Sequence, residues 1–105
     1  MKQVRKMTPA ILWRHAEATR AQLLPDRDAE DGDCQPVAEE VVRRLHRAGY
    51  PDAFVVLGDW EGHPHIWVRV GDLCVDATYD QFRYFVSDEE EEAMLDDPIR
   101  VWSEV

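Results

Sequence analysis

The sequence predicts an α+β fold, with N-terminal helices packed on a small antiparallel β-sheet. Two patterns carry this expectation. Apolar residues recur at helical spacing over Val37, Ala38, Val41, Leu45 and Ala48, and short runs rich in β-formers, at 53–57, 63–70 and 73–78, are punctuated by Gly58 and Gly71.

Thr8-Pro9 forms a helix start, a capping hydroxyl followed by proline at the first helical position, and no breaker interrupts the chain until Pro25. The polar, acidic segment 25–33, with Gly32 inside it, is a loop that ends directly before Cys34. A second helix runs from Cys34 to the stop signal at Gly49. Cys34 shares its apolar stripe with Ala38, Val41 and Leu45, so its sulfur faces inward at a helix N-terminus. Residues 53–57 read as a buried strand, and 59–62 as a turn.

Residues 63–70 and 73–78 form a hairpin about Gly71-Asp72, a loop whose leading glycine suits a type II′ turn. That register sets Val70 against Leu73, Val68 against Val75 and Ile66 against Ala77 on one apolar face. His63, His65, Trp67, Arg69, Cys74, Asp76 and Thr78 occupy the other. Asp76 falls opposite Trp67 and diagonal to His65, at a Cα separation of about 7–8 Å that the two side chains can bridge. Beyond the hairpin, 79–86 reads as a turn and further strand, 89–95 as a short acidic helical turn and 99–102 as a terminal strand.

The chain has 105 residues and a formal net charge of −10. Its length suits a single domain over 1–105, and its charge argues against nucleic acid or an anionic membrane as partner, because those surfaces require clustered Lys and Arg. No segment approaches the about 20 apolar residues of a membrane span, and the N-terminus lacks the apolar core of a signal peptide. A cytoplasmic location is the resulting expectation, with Cys34 and Cys74 as free thiols.

A thiol becomes a nucleophile when a helix N-terminus and an adjacent imidazole lower its pKa, and a carboxylate that fixes the imidazole tautomer completes the device. Cys34, His65 and Asp76 supply these parts, converging at a solvent-reachable spot. The run Gly32-Asp33-Cys34 before a helix, the strand His65-Ile66-Trp67 and the segment Asp76-Ala77-Thr78-Tyr79-Asp80-Gln81-Phe82 resemble the transglutaminase-like and papain-like cysteine hydrolases. This resemblance spans 32–82.

It implies a cofactor-free hydrolase or acyltransferase acting on an amide of a protein or peptide, through a thioester on Cys34. His65 would be the base and then the acid, Asp76 the orienter, and His63, Trp67 and Gln81 substrate contacts. Gln35 stands where several branches of the family carry an aromatic residue. The expected oxyanion donors are the Cys34 N–H and a side chain of the 25–33 loop.

Three other readings compete with this one. Cys34 can be a small buried hydrophobe. Cys34, His63, His65, Cys74 and Asp76 include zinc-ligand types, although no CxxC pair or HExxH helix supports a metal. The fold can also serve as a catalytically silent module whose acidic surface docks a basic partner. Cys74 is expected to pack beneath the second helix.

Overall fold

A computed structural model describes residues 6–104, so the first residues of the region read for a leader lie outside the described part. Helix α1 covers Pro9–Leu23, with the Thr8 hydroxyl accepting the Ile11 N–H at 3.2 Å and Leu12, Ala16 and Thr19 turned inward. Helix α2 covers Cys34–Arg47 and buries Cys34, Val37, Ala38, Val41 and Leu45. It ends at Gly49, whose φ of 98° lets its N–H reach His46 O at 3.2 Å while the Tyr50 N–H reaches Leu45 O at 2.9 Å. These two bonds make a Schellman cap and fold the buried Tyr50 back under the helix. Among the described residues no helix is long and apolar enough to cross a membrane.

Strands β1 (Phe54–Trp60), β2 (His63–Val70), β3 (Leu73–Asp76) and β4 (Arg100–Ser103) form one antiparallel sheet in the order β1-β2-β3-β4. Val68, Val70 and Val75 face the helices and meet Leu12, Ala16, Val41 and Leu45 in the core. The chain is therefore the expected α+β arrangement of helices on an antiparallel sheet. The hairpin register is also as read from the sequence for Val70↔Leu73 and Val68↔Val75.

Four expectations need correction. The run 53–57 is not a buried strand, because β1 lies at the sheet edge with Phe54 50% and Leu57 78% exposed. Its exposed apolar residues reflect strand propensity, while Ala53 and Val55 still pack on the core. Nor does Gly58 end it, since β1 continues to Trp60 with Gly58 paired to His65. A Cβ at Gly58 would overlap the indole of Trp67, so glycine here makes room for that ring.

The second correction is that β3 stops at Asp76, so Ile66 and Ala77 do not pair with each other. One Asp76 oxygen accepts the Thr78 N–H at 2.9 Å, a side-chain turn that draws the backbone out of the ladder. Third, residues 79–86 form no strand. Tyr79–Phe85 is a 3₁₀ helix that buries Asp80, Gln81, Phe82 and Arg83. The acidic turn after it is a full helix, α3 (Asp88–Asp96), whose first-turn carboxylates complement the positive helix end and whose Ser87 hydroxyl caps it. Fourth, Cys74 does not lie beneath α2. It is fully buried on the opposite face of the sheet, beside Trp67 and paired across to Arg69 and Trp102.

Replacing Gly58 by Ala should destabilise the protein by about 1–3 kcal/mol, the usual cost of forcing a methyl into an occupied site. Urea unfolding measures this, and a shift in tryptophan emission should accompany it as the Trp67 ring is displaced.

Candidate functional site

The truncation of β3 shapes the site. Beyond the Val68↔Val75 pair, β2 keeps β1 on one side but has no strand on its β3 side, and the first turn of α2 lies there with Cys34 among Ile66, Ala77 and Thr78. A thiol at the start of α2 can thus approach His65, although in the alternation of β2 that histidine shares the face of Trp67 and its neighbour Ile66 the helix side. His65 Nε2 lies 2.6 Å from Asp76 Oδ2, with both side chains buried. The other Asp76 oxygen is held by the Thr78 N–H at 2.9 Å and the Thr78 hydroxyl at 3.3 Å, so the carboxylate cannot turn away from the ring. Phe82 closes over the imidazole edge-on at a centroid separation of 4.6 Å and stacks on Trp60 at 4.4 Å.

His65 Nδ1 is buried without an aligned hydrogen-bond partner among the described residues. Cys34 lies near the imidazole, and each shifts the titration of the other. Burial opposes the charged thiolate, but hydrogen bonding and charge from His65, with smaller contributions from the Ile66 N–H and the Gln81 carboxamide, bring the Cys34 pKa below its ordinary value. Burial likewise opposes a charged imidazole, yet Asp76 and Cys34 together push His65 up to about 9. With the thiol lowered and the imidazole raised, each group favours the charged form of the other. Cys74, in contrast, is raised first by burial and then by the nearby Glu104.

The site is less open than the sequence reading expects. Cys34 retains only 7% of its surface, and Val37, Ala38 and Ile66 crowd the helix side of the sulfur. Solvent instead reaches the opposite side of the relay, where a pocket of about 210 Å³ is lined by Trp60, His65, Trp67, Asp76 and Trp102. His63 is half-buried at the rim and packs on the exposed Phe85 at 4.3 Å.

Compared with protein-family models, curated proteins and solved structures, the chain matches none. Its chemistry must be read from its own geometry.

The expected oxyanion donor from the 25–33 loop is corrected by the structure, because Arg27, the one side chain there able to donate, is committed to Asp33 and the Asp28 carbonyl. Asp33 accepts both Arg27 nitrogens, at 2.9 and 3.2 Å, and the Glu30 N–H at 2.7 Å. Gln81 instead lies beside the sulfur, with its Oε1 buried and without a partner among the described residues. The N–H groups at the start of α2, that of Cys34 included, have no partner within the helix. Among the described residues no three His, Cys, Asp or Glu side chains are grouped to hold a metal.

Sequence reasoning missed the cluster that holds Gln81 in place. Asp80 accepts a two-pronged bond from Arg20 of α1, both contacts at 2.7 Å, and also the Ala29 N–H at 2.9 Å. Arg20 further donates to Ala77 O at 2.9 Å. Arg83, one 3₁₀ turn after Asp80 and so on the same face, donates to Ala29 O and to Glu30 at 2.7 Å. These bonds join α1, the loop before Cys34 and the 3₁₀ helix bearing Gln81. Asp80→Ala should therefore cost about 3–5 kcal/mol by leaving Arg20 buried without its partner. Urea unfolding of the variant measures the loss, and a cost below about 1 kcal/mol would show that the clamp is not structural.

Proposed function

We propose that this chain is a cysteine-dependent hydrolase or acyltransferase acting on an amide, built on a papain/transglutaminase-like fold. Cys34 is the nucleophile, His65 the general base and then acid, and Asp76 the group that orients the ring. The observation that carries this reading is the 2.6 Å bond between Asp76 and one nitrogen of His65, with Cys34 close enough to the ring that each shifts the other's titration. A protein or peptide amide is the substrate class, and His63, Trp67 and Gln81 are its contacts around the relay.

The thiolate attacks the amide carbonyl carbon, and the carbonyl π pair moves onto oxygen, where the Gln81 carboxamide and the Cys34 N–H donate to it. Collapse of the intermediate breaks the C–N bond as the His65 imidazolium protonates the departing amine. A thioester on Cys34 remains. Water or a second amine, losing its proton to the now neutral imidazole, then displaces the sulfur and restores the starting pair. Throughout, the carboxylate of Asp76 keeps the ring in the required orientation and stabilises its charged form.

The near-complete burial of Cys34 favours a second reading, a catalytically silent module with the same fold whose acidic surface docks a basic partner. Thiol reactivity separates the two. At pH 6, iodoacetamide should label Cys34 at least about ten-fold faster than Cys74, because alkylation follows the thiolate fraction. His65→Ala should erase the difference. Equal, slow labelling of both cysteines, read by peptide mass spectrometry, would overturn the enzymatic reading in favour of the silent module.

Turnover of an amide should be bell-shaped with pH. The acid limb marks formation of the Cys34 thiolate, which lies below the usual thiol range, and the alkaline limb falls near 9, where His65 gives up the proton that the leaving amine needs. Asp76→Asn should move that alkaline limb to lower pH, because the group that most raises the imidazole pKa is gone.

A further inference from the structure

A second concavity, of about 390 Å³, lies between α1 and the C-terminal half of α2, lined by Ile11, Arg14, His15, Ala18, Arg44, Ala48 and Tyr50. Arg44 is ten residues beyond Cys34 on α2, about 15 Å along the helix axis, so this place is separate from the thiol site. Its charge runs against that of the molecule. The chain carries 22 acidic and 12 Lys or Arg residues, yet three basic side chains meet here with no carboxylate lining the space.

Among the described residues neither Arg14 nor Arg44 takes part in a salt bridge, whereas Arg20, Arg27, Arg43, Arg47, Arg69 and Arg83 all do. Arg44 donates from one terminal nitrogen to Gln22 Oε1 at 2.6 Å, while its Nε is buried with no partner among the described residues. A buried, unpaired guanidinium N–H is costly unless something accepts from it. The carbonyl end of α2 accounts for a cation near Arg44 but not for Arg14 and His15, which belong to α1. Burial first, and then the charges of Arg44 and Arg14, lower the His15 pKa, as expected where cations gather without a counter-charge.

We propose that this concavity binds a small organic oxyanion, a phosphate monoester or a carboxylate, whose charged group sits between Arg14, His15 and Arg44 and whose apolar part lies on Ile11, Ala48 and Tyr50. Guanidinium groups match the oxygens of either anion in a two-pronged fashion. The volume falls within the range of small-molecule sites, about 300–1,000 Å³. Ion pairing at a site with an apolar floor explains why these cations are left without internal carboxylates.

The test is a titration of the full chain with phenyl phosphate, with benzoate, and with benzyl alcohol as the uncharged control, followed by the imidazole NMR signals of His15. Saturable shifts are expected with at least one anion and none with the alcohol. At saturation the His15 pKa should rise toward its ordinary value, because the bound anion offsets the field of Arg14 and Arg44. Arg14→Gln, at an exposed position, and Arg44→Gln, with its fold checked by circular dichroism, should each weaken binding about ten-fold. Cys34→Ala should bind as the unaltered chain does, which keeps this result independent of the thiol chemistry. Tighter binding of phenyl phosphate assigns a phosphate ligand, and tighter binding of benzoate a carboxylate. No saturation with either anion, equal binding of the alcohol, or unchanged affinity in Arg14→Gln would overturn the proposal.

Discussion

The carboxylate of Asp76 is divided between two partners. One oxygen takes the N–H and hydroxyl of Thr78, and the other takes the ring nitrogen of His65. The first bond ends β3 and turns the chain into the 3₁₀ helix. The second fixes an imidazole. Because the strand ends there, β2 is left without a β3 partner at Ile66, and the start of α2 occupies that side with Cys34 near the ring. Shape and electrostatics at this place therefore share one cause.

Burial amplifies the consequences. A thiol, an imidazole and a carboxylate exposed on a surface would titrate near their ordinary values, since water screens each from the others. Here desolvation opposes both charges, but the partners are close enough to outweigh it, so the thiol moves down and the ring moves up to about 9. Phe82, stacked on Trp60 and edge-on to His65, helps to keep that environment apolar. The same enclosure that strengthens the pair restricts access to it.

A second buried network supports the first. Asp80 and Gln81 are adjacent in sequence, with one anchored to Arg20 and the Ala29 N–H and the other beside the sulfur. Fixing Asp80 fixes its neighbour, and Arg83 secures the loop that leads into Cys34. Ion pairs of this kind add little net stability compared with apolar packing, but they define the position of a backbone that has few apolar groups to locate it.

Local rules made much of this protein legible. Thr8-Pro9 and Gly49 mark helix ends through capping bonds confined to a few residues, the stripe through Val41 and Leu45 marks a buried helix face, and Gly71-Asp72 sets a hairpin register that brings Asp76 within reach of His65. Each is decided by neighbours in sequence. The exposure of β1, the side of the sheet on which Cys74 is buried and the 3₁₀ path of 79–85 were not legible in this way. They depend on which strand becomes the edge and which carboxylate meets which guanidinium. Asp80 finds Arg20 sixty residues away and Ala29 fifty-one away, and no spacing in the sequence encodes such pairs. The sequence by itself determined the elements and the residues able to do chemistry. Only the tertiary structure decided how deeply the thiol lies and which side chain stands beside it, because burial and long-range pairing are properties of the assembled chain.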